Sequence, residues 1–194
     1  MHWKPEHLSY GICIPPLTKN IYELTHEETE TYFSWYMNIL PQRIAYLSEI
    51  CAAELKCDRS ELDLSAESLR ILWRWFLKAA KTETAPTNSD PRHRKQLTLQ
   101  TEYILRDVGM YLGETFRTNH SSLRWGYYEE PRSDVFVNRP VIIGFEDRRY
   151  TPPFKAVFEP IHMARVQAVR IIDHRGREDD LFELYRKWEQ FCVD

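Results

Sequence analysis

Hydrophobic positions in this chain recur first at helical spacing, then in short β-rich runs, then at helical spacing again. The first helical stretch begins near Thr25. Thr25 and Glu28 fit a capping box, in which each side chain satisfies a backbone N–H of the other residue. Glu27, Glu28 and Glu30 place negative charge where the helix dipole favours it. Tyr32, Phe33, Tyr36, Ile39 and Leu40 follow at helical spacing. Pro41 lacks an N–H and is expected to kink or break the helix. The pattern resumes with Ile44, Leu47, Cys51 and Leu55, so one kinked helix and two separate helices both fit.

A second helix is predicted over residues 65–81, with Ser65 as its N-cap. Leu69, Leu72, Trp73, Phe76 and Leu77 fill one arc, which Ile71 and Trp75 widen. The strip left over is Arg70, Arg74, Lys78 and Lys81, a wet cationic edge on an otherwise central helix. Residues 82–96 read as a mobile loop: Pro86 and Pro91 block regular structure, and the segment ends in Arg92, His93, Arg94 and Lys95. A third helix over 98–118 carries Ile104, Leu105, Val108, Tyr111, Leu112, Thr115 and Phe116 on its core face. Gly109 and Gly113 share one side of it. Each costs a helix roughly 1 kcal/mol relative to Ala, so a close backbone neighbour is expected there.

The runs Leu123–Tyr128, Val141–Phe145 and Phe154–Phe158 are rich in β-branched and aromatic residues. They predict a three-stranded antiparallel sheet, with Glu146, Asp147, Arg148 and Arg149 as a polar turn. Pro160 opens a fourth helix to about Asp173, and a last helix spans about 179–191. The first 24 residues are an irregular arm expected to pack through Tyr10, Ile12, Ile14 and Leu17. The whole is a single α+β domain, with about five helices in the majority and a small three-stranded antiparallel sheet.

Composition narrows the classes. With 194 residues, 43% of them hydrophobic and 13% aromatic, the chain can build a core without disulfides or metals. A net charge of −3 gives no general attraction to nucleic acid or an anionic membrane. No run of residues is apolar enough for a membrane helix and no signal peptide is evident. Cys13, Cys51, Cys57 and Cys192 lack zinc-pair spacing and read as reduced thiols, which places the protein in the cytoplasm. Neither a metal nor a cofactor is expected.

Candidate chemistry is sparse. Phosphate-binding glycine loops, nucleophile elbows and His-Glu-x-x-His are missing from the sequence. Asp107 and Glu114 project from similar angles of the third helix, ~10 Å apart along its axis. Side-chain reach could bring them to a carboxylate-pair distance; two solvated carboxylates are the simpler reading. Of the histidines His2, His7, His26, His93, His120, His162 and His174, His120 and His162 are the two that could meet in space. The basic strip with Arg92, Arg94 and Lys95 lacks interleaved aromatics, which disfavours nucleic acid and favours a solvated face or a dock for an acidic protein. Of the tryptophans, Trp35, Trp73, Trp75, Trp125 and Trp188 mostly fit core faces, and one or two are left as exposed anchors. Trp125, with Tyr127 and Tyr128 and with Arg124 and Arg132 nearby, is the best candidate for an exposed anchor.

The stretch Gly109-Met110-Tyr111-Leu112-Gly113-Glu114, followed by Leu123-Arg124-Trp125, resembles a set of uncharacterised bacterial proteins in which a helix ends in Gly-Glu and a Trp-bearing strand follows. Ser68-Leu69 and the segment Leu72–Leu77 are similar to the helix preceding it there, and the resemblance spans about residues 60–160. Some proteins of this appearance look like immunity proteins of bacterial toxin systems. The resemblance implies a cytosolic inhibitor without catalytic residues, with Glu114 and Trp125 at the matching positions.

The sequence therefore reads as a protein-binding module, which the resemblance narrows to an immunity protein, whose partner is a toxin or other acidic protein met by Arg70, Arg74, Lys78, Glu114, Trp125 and Tyr127. The alternative is an enzyme using Glu114 with Asp107 or a histidine.

Overall fold

The computed structural model describes residues 10–85, 95–129 and 134–193. Their order is α1 (His26–Leu55), α2 (Ser68–Ala79), β1 (Thr82–Thr84), β2 (Lys95–Leu97), α3 (Leu99–Asn119), β3 (Arg124–Tyr127), β4 (Pro140–Asp147), β5 (Phe154–Phe158), α4 (Pro160–Ile172) and α5 (Asp180–Glu189). The protein is α+β with a helical majority, and β3–β4–β5 form the expected antiparallel meander.

The expected capping box opens α1. The Thr25 hydroxyl accepts from the Glu28 amide at 3.3 Å, and the Glu28 carboxylate accepts from the Thr25 amide at 2.7 Å. The helix then runs through Pro41 without a break, so the two-helix alternative is wrong. Leu40 and Leu47, on either side of the proline, are 3% and 0% exposed. Burial on both sides holds the helix together, while Pro41 itself lies on the exposed side, where the carbonyl freed by its ring can be solvated. Lys56 ends the helix in the left-handed conformation.

α2 is shorter than predicted. Ser65 does not cap it. Instead Ser65 closes the preceding turn, accepting from the Ser68 amide at 3.2 Å, and α2 starts at Ser68. At the other end Ala80 turns extended, and the Lys81 amide donates to Thr101 Oγ1 at 2.9 Å. The segment 82–96 was expected to be a loop, but its ends pair as a short antiparallel ladder, Thr82 opposite Leu97 and Thr84 opposite Lys95. Its interior, 86–94, with Pro86, Pro91, Arg92, His93 and Arg94, lies outside the described residues.

α3 is the central helix. Val108, Met110, Tyr111, Leu112 and Phe116 are all fully buried. The expected close neighbour of its glycines is α4. A Cβ on Gly109 would lie 2.6 Å from Ile161 Cα, and one on Gly113 would strike the Trp125 ring and Pro160. Pro160 occupies the first turn of α4, where its missing N–H costs nothing. At the far end of α3, Phe116 packs with Phe145, Phe158 and Tyr185, joining helix, sheet and α5 in one buried cluster.

β4 extends further than the sequence suggested. Glu146 and Asp147 are strand residues, opposite Lys155 and Phe154, and not part of a turn. A bulge at Gly144 (φ 116°) resets the register between Ile143 and Phe145, which lets the polar residues stay paired. The turn is therefore 148–153. The arm also differs: Tyr10 is buried, Leu17 half-buried, and Ile12 and Ile14 are exposed. Of these four side chains, Tyr10 has a polar partner in the interior, described below.

Gly109→Ala is expected to destabilise the fold by about 1–3 kcal/mol, because the added methyl meets backbone that cannot yield. Alanine's better helix propensity offsets only part of this. Urea denaturation of the variant against wild type measures it.

Candidate functional site

Glu114 and Trp125 come together, but facing inward. Trp125 alternates onto the α3 side of β3, and Gly113 leaves room for its ring. The ring is 8% exposed and packs on Tyr36 at 5.4 Å. Its Nε1–H donates to Glu114 Oε2 at 2.9 Å, while Arg117 holds Oε1 through Nε at 2.9 Å and Nη2 at 2.5 Å. Both carboxylate oxygens are thus engaged within the fold. Of the two readings of Trp125, core face and exposed anchor, the core face is the one the structure has. Tyr127, two residues on, shares that face nearer its edge: half-buried, it packs on Phe33 of α1 at 5.3 Å and donates to Glu30 at 3.4 Å. Arg132 lies outside the described residues.

Asp107 does not join Glu114. It is fully buried against the arm and α1, where its Oδ2 accepts from the Tyr10 hydroxyl at 2.5 Å and from Arg43 Nε at 3.0 Å and Nη2 at 2.5 Å. Burial pushes the Asp107 carboxyl up, against the opposing pull of Arg43 and Tyr10. The same burial, with the Asp107 charge beside it, pushes the Tyr10 hydroxyl far up. The two carboxylates of the enzyme reading therefore serve separate clusters, and that reading loses its pair.

The histidines do not assemble either. His120 bonds Tyr185 at 3.0 Å and packs on Phe116, whereas His162 is exposed and packs on Phe136 at 5.3 Å. His26 pairs with Glu129 at the surface, which raises its proton affinity. His2, His7 and His93 lie outside the described residues. Among the described residues no group of three potential metal ligands converges. Glu159 is a second buried acid. It caps α4 by accepting from the His162 amide, is 1% exposed, and has its carboxyl pushed up to about 7 by burial, with the His162 and Ile161 amides and Arg139 pulling the other way.

The cationic edge of α2 divides. Arg70 bonds Glu67 at 3.1 Å, pairs with Asp179 and lies over the Phe182 ring at 3.6 Å, so it helps fasten α5. Arg74 and Lys78 are exposed, and neither forms an ion pair among the described residues. A shallow groove of about 340 Å³ lies beside Pro41, with Leu40, Ile44 and Leu62 in its wall and Arg59, Asp63 and Glu114 adding charge.

One surface escaped the sequence reading. At the β4–β5 tip, Tyr150 and Phe154 are 59% and 60% exposed, with ring centroids 6.2 Å apart. Arg148 and Lys155 flank them, both exposed. Arg149 is fixed by Asp147 at 2.6 Å and reaches over the Phe191 ring. Placing the turn too early hid this group. Its signal was the succession Arg148-Arg149-Tyr150-Thr151-Pro152-Pro153-Phe154-Lys155, which puts large rings in a segment too rich in proline to bury them.

No protein-family model matches this chain, and neither do any curated protein or solved structure.

Two outcomes follow from the buried carboxyls. Asp107→Ala strands Arg43 and the Tyr10 hydroxyl, and is expected to cost about 3–5 kcal/mol in urea denaturation. For Glu159, the folded state holds its proton more tightly than the unfolded chain, so its contribution to stability is present below about pH 4.5 and is lost as pH rises through about 7. Wild type should therefore lose stability relative to Glu159→Gln across that window, by roughly 3 kcal/mol, read as the difference between their Tm profiles.

Proposed function

We propose that the protein acts by binding another protein, through the aromatic tip of the β4–β5 hairpin and with the cationic edge of α2 steering the approach. The observation that carries this is the exposure of Tyr150 and Phe154 side by side between Arg148 and Lys155. Tyr and Arg are enriched among residues that dominate binding energy, and two rings on a strand-anchored turn lose little side-chain freedom when covered. Arg74 and Lys78, free of ion pairs among the described residues, suit a partner with an acidic face.

A toxin inhibited by this chain is the particular case the sequence resemblance suggests. The partner's acidic face would then lie beside or over the toxin's active surface. We place the protein in the cytoplasm, because Cys13, Cys51 and Cys57 are free thiols, and such thiols persist in reducing compartments. No helix among the described residues is long and apolar enough to cross a membrane.

The test is quantitative capture from the native cells with three baits: wild type, Tyr150→Ser/Phe154→Ser, and Arg74→Glu/Lys78→Glu. A partner held stoichiometrically by wild type should fall at least tenfold on the tip variant, while the charge-reversed variant binds it with a slower association rate. Equal recovery on all three baits, or no partner on wild type, would sink the reading.

A further inference from the structure

The groove beside Pro41 lies between α1 and the segment 59–64 that follows it, with Glu114 of α3 at one side. Its volume of about 340 Å³ falls at the small end of the range for ligand sites, roughly 300–1,000 Å³. The floor is apolar: Leu40 and Leu62 are both buried, and Ile44 is half-buried. The rim is charged. Arg59 and Asp63 both line the groove and both are exposed. A small space with an apolar floor and one charge of each sign at its mouth is shaped for a molecule with the same division.

The polar groups around the groove differ in how far the fold already uses them. Glu114 has both oxygens taken, by Trp125 and Arg117. Asp63 commits only Oδ1, which accepts from the Ser65 amide at 2.9 Å. Hydrogen bonding from Ser65 also holds the Asp63 carboxyl below its usual range, so it is charged at neutral pH. The Arg59 guanidinium makes no hydrogen bond or ion pair among the described residues. Ser48 is 4% exposed and lines the groove, yet its hydroxyl makes no hydrogen bond among the described residues either. That oxygen is not one of those sealed inside the fold without a partner, so it opens onto the groove. Buried hydroxyls are nearly always bonded, and one left open to a groove is satisfied by what fills the groove. The walls are also set in advance. Leu64 holds the left-handed conformation (φ 63°), fixed by its amide donating to the Tyr111 hydroxyl at 3.0 Å and its carbonyl accepting from Asn119 Nδ2 at 2.7 Å. Pro41 stiffens the facing wall. Walls already ordered need not be ordered when a ligand arrives.

We propose that this groove binds a free α-amino acid with a branched or aromatic apolar side chain. The side chain lies on Leu40, Ile44 and Leu62, Arg59 takes the carboxylate, and Asp63 takes the ammonium group through its uncommitted oxygen. The Ser48 hydroxyl adds one neutral polar contact from the floor. Neither head group is asked to leave water, because both of its partners sit at the exposed rim; binding is accordingly weak and selective for the combination of both charges with an apolar body. The site is separate from the hairpin tip and does not rest on the protein-binding reading.

The probes are L-leucine and L-phenylalanine, with glycine, 4-methylpentanoate and 3-methylbutylamine as partial ligands, each titrated into the ¹⁵N-labelled protein at constant ionic strength. At least one of the two amino acids should shift the amides of Ile44, Ser48, Asp63 and Leu64 with saturation. Glycine, which lacks the side chain, and the two single-charge analogues should bind at least tenfold more weakly. Arg59→Gln should weaken the amino acid at least tenfold and leave 3-methylbutylamine unchanged, whereas Asp63→Asn should weaken the amino acid and leave 4-methylpentanoate unchanged. Both substitutions are at exposed positions, and the amide spectrum of each free variant reports that it is folded. The proposal is overturned if neither amino acid gives saturable shifts at these four amides, if glycine or a single-charge analogue binds as tightly, or if a folded Arg59→Gln binds like wild type.

Discussion

Everything in this fold is arranged around the side of α3 that has no side chains. At Gly109 the backbones of α3 and α4 come within the distance a methyl group would need. At Gly113 the space is taken by Trp125 and Pro160. Through the first contact α4 is laid against the central helix, and through the second the sheet is. The Trp125–Glu114 hydrogen bond then locks β3 in register with the end of α3. The helix propensity lost at two glycines is a small cost beside the burial it permits.

Because α3 is surrounded, its polar residues cannot behave as surface residues. Glu114 becomes a bracket for Trp125 and Arg117, and Asp107 becomes the anchor of the arm and of Arg43. The two carboxylates share a helix but not an environment. That division is why a carboxylate pair, natural to imagine on a helical wheel, does not exist in space.

Local rules were enough where they acted alone. The Thr25–Glu28 box, Pro160 at the start of α4 and the glycine side of α3 were all legible, since each depends on a few neighbouring residues. Tertiary packing overrode the rest. Pro41 reads as a breaker, yet Leu40 and Leu47 hold α1 continuous. Glu146 and Asp147 read as a turn, yet the Gly144 bulge keeps them in the ladder. The site was less legible than the fold. Arg74 and Lys78 emerged as an open edge as read, but the inward turn of Trp125 depends on a glycine on another element, and the burial of Asp107 depends on a tyrosine far away in sequence.

The hairpin also touches the end of the chain. The Glu146 amide donates to the Phe191 carbonyl at 2.8 Å, and Arg149 reaches over the same phenyl ring. The root of the aromatic tip and the turn after α5 are thus one mechanical unit. Whatever grips Tyr150 and Phe154 also loads the turn after α5, and a pull on that turn reaches the tip. The exchange rate of a single amide, that of Glu146, therefore reports on the hairpin and on the turn after α5 at once.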